Sequence, residues 1–409
     1  MEPHALSRLS RLPRALAAFA LAGAVVATAV APATASPRSA SPHTATRPSP
    51  HSATQDALDA ITRAGVPGVL ARADRADKTW YGTSGVADRR TGRPRLPQDR
   101  FRVASVTKTF TATVLLQLAA DPAYGLSPDD TVEKWLPGLV RGNGNDGSRI
   151  TLRQLLQHTS GLYDYLEDDT LRAKYTGTAF FDHRYDGATP EELVRIALAQ
   201  KPDFDPGKGW GYSNTNYILA GMIIEKATGH TYASEVERRI IKPLGLRGTS
   251  LPGTSPWVPG PHGRHYSTLF VDGPGARSYD VTEFDPSVAG ASGEMISTVR
   301  DLNVFFRALL RGELLPPAQQ KEMLTGHDLG DGRSYGLGIR SQKLKACGVT
   351  VWGHSGEIPG SATRTAATAD GEHVLTLNQN GDWGDDKLEQ AAIEAEFCGK
   401  TAPSGAGRP

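Results

Sequence analysis

Ser105 and Lys108 stand three residues apart in the stretch 101–110, Phe-Arg-Val-Ala-Ser-Val-Thr-Lys-Thr-Phe, at the start of a helix-like run. That spacing puts a hydroxyl and an amine on one helical face. A serine hydroxyl is a poor nucleophile until a neighbouring group takes its proton, and an amine one turn away can take it directly or through a relay. Ser105 is therefore the candidate nucleophile, and no other lysine in the chain has a serine at that distance. Two ordinary polar residues at a helix start would share this pattern, so the reading needs support from the rest of the chain.

The elements that must hold these two residues are legible around them. Thr109 to Ala120 carries Phe110, Val114, Leu115, Leu118 and Ala119 at helical spacing, and Asp121-Pro122 ends the run. A mostly apolar helix behind a nucleophile is a buried one, which would hold Ser105 rigidly and aim its first N–H groups at developing negative charge. Upstream, residues 55–64 predict a short amphipathic helix, and 69–73 and 79–86 predict two strands. Residues 125–290 read as helical and loop-rich, with helices over 191–199 and 216–227 and Tyr212 on the turn before the second. Thr298 and Asp301 open a helix whose apolar face is Leu302, Phe305, Phe306, Leu309 and Leu310. Strands are then expected over 349–352, 362–368 and 373–377, with a terminal helix over 387–396.

Strand-forming segments at both ends with helices between them predict an α+β fold: an antiparallel sheet built from both termini, flanked by helices, with a mostly helical inserted region. The expected catalytic domain is 55–400, its sheet parts at about 55–120 and 290–400 and its helical part at about 121–289.

The ends and the composition bound the setting. Arg8, Arg11 and Arg14 precede an Ala/Val/Leu run over 15–31, and Ala33-Thr34-Ala35 is a small-x-small cleavage site. Residues 1–35 are thus expected to be a secretory signal peptide, leaving a secreted mature form without a transmembrane anchor. A flexible leader is expected over 36–54 and a flexible tail over 401–409. With 45 Lys+Arg against 44 Asp+Glu in 409 residues and no single-sign block, nothing suggests a nucleic-acid footprint. Cys347 and Cys398 are the only cysteines, and export makes one disulfide the expectation. His262 and His265 lack a third ligand, so no metal is assigned, and His158 is expected to serve loop packing.

Two further motifs join Ser105-Val106-Thr107-Lys108. They are Tyr212-Ser213-Asn214 and Trp352-Gly353-His354-Ser355-Gly356, and the Leu155–Leu162 segment adds Gln157-His158-Thr159-Ser160-Gly161. The three motifs, in this order, resemble those of the serine penicillin-recognising enzymes, in the class C β-lactamase-like branch. Within it, the His-x-Gly third motif is most similar to that of the secreted serine D-alanyl-D-alanine carboxypeptidases.

The resemblance implies acyl transfer without a cofactor. Ser105 would attack the carbonyl before the terminal D-alanine, with Lys108 as electrostatic partner and Tyr212, its pKa lowered by a cationic neighbour, shuttling the proton. Asn214 would bind the substrate amide and help hold Lys108, or cap the following helix, or both. His354 would form a polar wall able to carry charge near neutral pH, and Ser355 would bind the substrate carboxylate. The backbone N–H groups of Ser105 and Glu357 would form the oxyanion hole beside Gly356. A carboxylate at Glu357 would weaken substrate binding unless strand alternation turns it away. Arg340 is read as a carboxylate clamp or, more simply, as a solvated strand-end arginine.

The implied partners are peptides ending in D-alanyl-D-alanine as substrate and β-lactams as acylating inhibitors, with a monomer expected. Alternatives with the same nucleophile are a β-lactamase, an esterase or a D-aminopeptidase. A different class of reading is a non-catalytic penicillin- or cell-wall-peptide-binding module.

Overall fold

The computed structural model describes residues 50–271 and 276–399. The expected signal peptide, the tail and all but the end of the leader lie outside the described residues. The first helix, α1 (Ser52–Arg63), begins inside the expected leader. Thr54 is buried there and its hydroxyl donates to Glu396 at 2.8 Å, a long-range partner that local composition does not reveal.

The central sheet has nine strands and draws on both ends of the chain, as expected. β1 (Gly68–Arg75), β2 (Lys78–Asp88) and β3 (Arg93–Pro94) come from the first part. β4 (His327–Gly330), β5 (Arg333–Tyr335), β6 (Arg340–Lys343), β7 (Thr350–Ile358), β8 (Ser361–Thr368) and β9 (His373–Gln379) come from the last. Their order is β4-β5-β6-β7-β8-β9-β1-β2-β3. The two halves join where β1 pairs antiparallel with β9, from Val69↔Gln379 to Arg75↔His373.

Strand alternation sorts the side chains into two cores. Val69, Ala71, Leu375 and Leu377 face one layer with Leu58 and Ile61 of α1 and Ile393 of the C-terminal helix. Leu70 and Val374 face the other, larger core with the helical region. Its helices are α2 (Thr107–Ala120), α3 (Leu152–Gln157), α4 (Pro190–Leu198), α5 (Thr215–Thr228) and α6 (Val299–Leu310). Phe110 of α2 stacks on Phe305 of α6 with ring centroids 3.6 Å apart. α2 is buried continuously from Thr107 to Leu116, and each fully buried aliphatic or aromatic side chain there contributes about 1.5–3 kcal/mol.

The terminal helix α7 (Asp386–Cys398) packs on α1, and Cys398 at its end is bonded to Cys347 in the β6–β7 connection, the expected disulfide. Among the described residues, no helix is long and apolar enough to cross a membrane.

Two differences from expectation matter for the site. β4, β5 and β6 are too short and too rich in Gly, Asp and Arg to read as strands, yet they put Tyr335 and Arg340 into the sheet. β7 runs on past Trp352 to Ile358, so the whole third motif is strand. β8 pairs with β7 along Val351–Ile358, whereas β6 pairs only from Thr350 to Gly353. Beyond Gly353 the β6-side edge of β7 borders a cleft.

Candidate active site

Ser105 sits in a single 3₁₀ turn, Ala104–Val106, that feeds directly into α2. Ala104 just before it has φ +49°, a left-handed conformation that costs a non-glycine residue energy and turns the chain sharply. β7 crosses this turn at Gly356, where an added Cβ would come within 2.1 Å of the Val103 carbonyl oxygen and 2.7 Å of the Ser105 nitrogen. Only glycine permits that approach. It brings the Glu357 backbone beside Ser105, where the two N–H groups form the candidate oxyanion pair.

Lys108, the second residue of α2, is fully buried one turn after Ser105. Its Nζ lies 3.0 Å from Ser105 Oγ, 2.7 Å from Asn214 Oδ1 and 2.8 Å from the Ser292 carbonyl oxygen. Burial pulls the Lys108 pKa down to about 7; Asp164 works against that fall and Arg340 adds to it. A neutral amine held by two acceptors, the Asn214 and Ser292 oxygens, has its lone pair left for the Ser105 hydroxyl. Lys108 is therefore built to accept a proton, where the motifs alone suggested an electrostatic partner.

Tyr212 is the converse correction. Its phenol lies close enough to Ser105 to feel it, and Lys108 Nζ lies 4.9 Å from its ring centroid. Burial nonetheless pushes its pKa up to about 12, against the pull of Arg340 and Ser105. Desolvation outweighs the cationic neighbour. Tyr212 is thus a phenol that keeps its proton and can donate it.

Asn214 occupies the N-cap position of α5 without a side-chain cap bond. Its amide instead spans two side chains: Oδ1 accepts from Lys108 and Nδ2 donates to Asp164 Oδ2 at 2.8 Å. The capping alternative is set aside.

His354 is also corrected. It is 3 % exposed and its pKa lies well below the ordinary histidine value, because burial disfavours the cation and Arg340 and Lys108 repel it. It is a neutral wall. His158 is equally buried: its ring lies 4.2 Å from that of Tyr212, and its Nε2 is 3.1 Å from the Tyr335 hydroxyl. Loop packing describes it only in part, since it backs the ring of Tyr212.

Arg340 is no solvated strand end. It opens β6, lines the cleft, and its guanidinium carbon lies 5.4 Å from the Tyr212 ring and 5.5 Å from the Tyr335 ring. Its Nη1 reaches Ser355 Oγ at 3.5 Å. The surrounding protein and the carboxylates of Asp382, Glu389 and Asp386 raise the Glu357 pKa, with Arg364 opposing. Glu357 stands in the cleft lining with Ser355 and Gly356.

The fold therefore gathers Ser105, Tyr212, Asn214, Arg340, His354, Ser355, Gly356 and Glu357 around one cleft, with Lys108 buried behind Ser105. Cys347 and Cys398 stand apart as a structural crosslink. Sequence reasoning missed Asp164, Tyr335 and the Ser292 carbonyl. Asp164 follows the quoted Leu155–Leu162 segment by two residues, but only the folded loop turns it toward Asn214. A hydroxyl bonded to a near-neutral amine, a protonated phenol beside it and two converging N–H groups can carry out nucleophilic acyl transfer.

The comparisons with known proteins agree with this geometry. A family model described as Beta-lactamase matches residues 34–396. The structure of a D-stereospecific amidohydrolase from Streptomyces sp. is similar over 86% of this chain and 99% of that one, with 52% identity and a TM-score of 0.80. That of a D-amino acid amidase from Ochrobactrum anthropi, solved with D-phenylalanine, covers 86% of this chain and 99% of that one at 28% identity and a TM-score of 0.73. A penicillin-binding protein of Bacillus subtilis is 28% identical over 343 residues, 80% of this chain and 71% of the relative. With the match spanning the sheet, the helical region and all three motifs, this chain belongs to the beta-lactamase family and is a serine hydrolase of that superfamily.

Proposed function

We propose that the chain is a D-stereospecific amidohydrolase, which transfers the acyl group of a D-amino-acid amide or peptide to Ser105 and then to water. The observation that carries the hydrolytic reading is the 3.0 Å contact between Ser105 Oγ and a Lys108 amine that burial brings near neutrality. Likeness at 52% identity to a D-stereospecific amidohydrolase supports the choice of substrate. It favours the alternative readings of the motifs over release of a terminal D-alanine.

In the proposed cycle Lys108 takes the Ser105 proton as Oγ bonds to the substrate carbonyl carbon. The carbonyl oxygen becomes an oxyanion between the N–H groups of Ser105 and Glu357. Tyr212 gives its proton to the leaving nitrogen as the C–N bond breaks, and the Lys108 ammonium returns a proton to the Tyr212 phenolate. Water then attacks the acyl carbon as Lys108 takes its proton, Lys108 returns that proton to Ser105 Oγ as the ester bond breaks, and the D-amino acid leaves.

A second reading, the carboxypeptidase, is favoured by one observation. Arg340 lines the cleft beside Ser355, and the pair matches a carboxylate one residue past the scissile bond. We also propose export of the enzyme, on the strength of the expected signal peptide and the Cys347–Cys398 disulfide.

The test offers purified protein D-alanine amide, L-alanine amide and a peptide ending in D-Ala-D-Ala in parallel. Ammonia release from the D-amide alone, lost in Ser105→Ala, is the expected result. Equal rates on both enantiomers, or D-alanine release from the peptide with no action on the amide, would overturn the proposal.

A further inference from the structure

We propose that Asp164 is a positioning residue for the reaction: it holds Asn214 with its carbonyl oxygen toward Lys108, and it lends its charge to the Lys108–Ser105 pair. The inference rests on the serine-hydrolase reading of Ser105 and goes beyond it by naming what keeps the base oriented.

The argument starts from the two ends of the Asn214 amide. A primary amide can turn over and exchange donor for acceptor, and a neutral lysine could accept an N–H as readily as a serine O–H. Were the Asn214 amide nitrogen to face Lys108, it would occupy the lone pair that Ser105 needs. An ionised carboxylate only accepts. Asp164 Oδ2, 2.8 Å from Asn214 Nδ2, therefore selects the orientation in which Oδ1 faces Lys108 Nζ at 2.7 Å. With the Ser292 carbonyl 2.8 Å away as the other acceptor, two of the three remaining directions at Nζ are committed. The third is the one toward Ser105 Oγ.

Asp164 is itself held. Its Oδ1 accepts the Leu166 backbone N–H at 3.1 Å, capping the 3₁₀ turn Tyr165–Glu167. The preceding carbonyl, of Tyr163, accepts the Ser213 and Thr215 hydroxyls at the start of α5. The loop and the helix that carries Asn214 are thus tied together next to the contact.

The charged and titratable groups around Lys108 are Arg340 from β6, His354 from β7, His158 after α3, Tyr212 before α5, Tyr217 within α5, and Asp164. Asp164 is the one acid among them. It opposes the burial and the Arg340 repulsion that push Lys108 toward neutrality, and its own pKa is raised by burial. The carboxylate and the amine titrate as a pair.

The experiment compares wild type, Asp164→Asn, Asp164→Ala and Ser105→Ala, following p-nitrophenyl acetate hydrolysis from about pH 5 to about pH 9. Asparagine still caps the Tyr165 turn but carries no charge. Asp164→Asn is expected to move the acid limb of kcat/KM to lower pH by about one unit, because Lys108 loses its only anionic neighbour in this set. Asp164→Ala is expected to lower kcat by at least about tenfold with KM within about twofold, because Asn214 is free to turn. A residue that only caps a turn would lower stability and leave both quantities alone. An Asp164→Asn limb that coincides with wild type overturns the inference, including where Asp164→Ala fails to fold. Retained activity in Ser105→Ala overturns the underlying nucleophile reading instead.

Discussion

The phenolic oxygen of Tyr335 lies 2.9 Å from Nε2 of His354, and the same oxygen is 3.1 Å from Nε2 of His158. His158 Nδ1 accepts the Ser213 N–H at 3.2 Å, so its Nε2 carries the proton and donates to Tyr335. Tyr335 then donates to His354 Nε2, which leaves His354 Nδ1–H for the Ser355 carbonyl. One direction of donation satisfies the whole chain with both histidines neutral. Nitrogen-edited NMR should find His354 protonated at Nδ1 only, from about pH 6 to about pH 8. An imidazolium signal for His354 near pH 7 would contradict it.

Three histidines, His158, His265 and His354, are buried and have pKa values pushed down, foremost by burial. Unfolding frees each to bind a proton at its ordinary pKa, so the unfolded state gains protons as pH falls below about 6.5. Their stabilising share is complete above that pH and lost on acidification, by about 1.4 kcal/mol per pH unit for each histidine. A Tm that drops steadily below about pH 6.5 is expected; one that stays level down to about pH 5 would count against neutral burial.

Lys108→Arg separates charge from proton acceptance. Arginine keeps a cation near Ser105 but does not give up its proton at working pH. Hydrolysis should fall by about 100-fold or more, in line with the loss of a general base. Near-normal activity would return Lys108 to a purely electrostatic role.

Tyr212→Phe keeps the ring over Lys108 and removes only the phenolic proton. A leaving amine needs that proton, while p-nitrophenolate departs without one. Amide hydrolysis should fall by about 100-fold and p-nitrophenyl ester hydrolysis by far less. Equal losses on both substrates would show that Tyr212 does something other than protonate the leaving group.

Reducing the Cys347–Cys398 bond, which spans 51 residues, should cost about 2–4 kcal/mol of stability. The bond ties α7 to the β6–β7 connection, away from Ser105, so kcat is expected to hold within about twofold in the folded reduced protein. A large loss of kcat without loss of stability would place the crosslink in the site's support.

Much of this was legible in the sequence where a single element carries the signal. Phe305, Phe306 and Leu309 on a helical period reported α6, and the Ser105–Lys108 spacing reported the turn that leads into α2. The short strands β5 and β6 were not legible, because Tyr335 and Arg340 sit among Gly, Ser and Arg with no alternation long enough to read. Neither was Asp164, which reaches Asn214 only through a loop. Protonation was the least legible of all. A cationic neighbour suggests a lowered phenol pKa for Tyr212, and the enclosure that reverses the sign is a property of the folded cleft.

The central claim is that Ser105 carries the acyl group. Wild type quenched in acid during turnover of p-nitrophenyl acetate, then digested and mapped by mass spectrometry, tests it most directly. An acetyl group on Ser105, absent when Lys108 is replaced by arginine, is the predicted result. An acetyl group on any other residue, or ester turnover undiminished in Ser105→Ala, would contradict it.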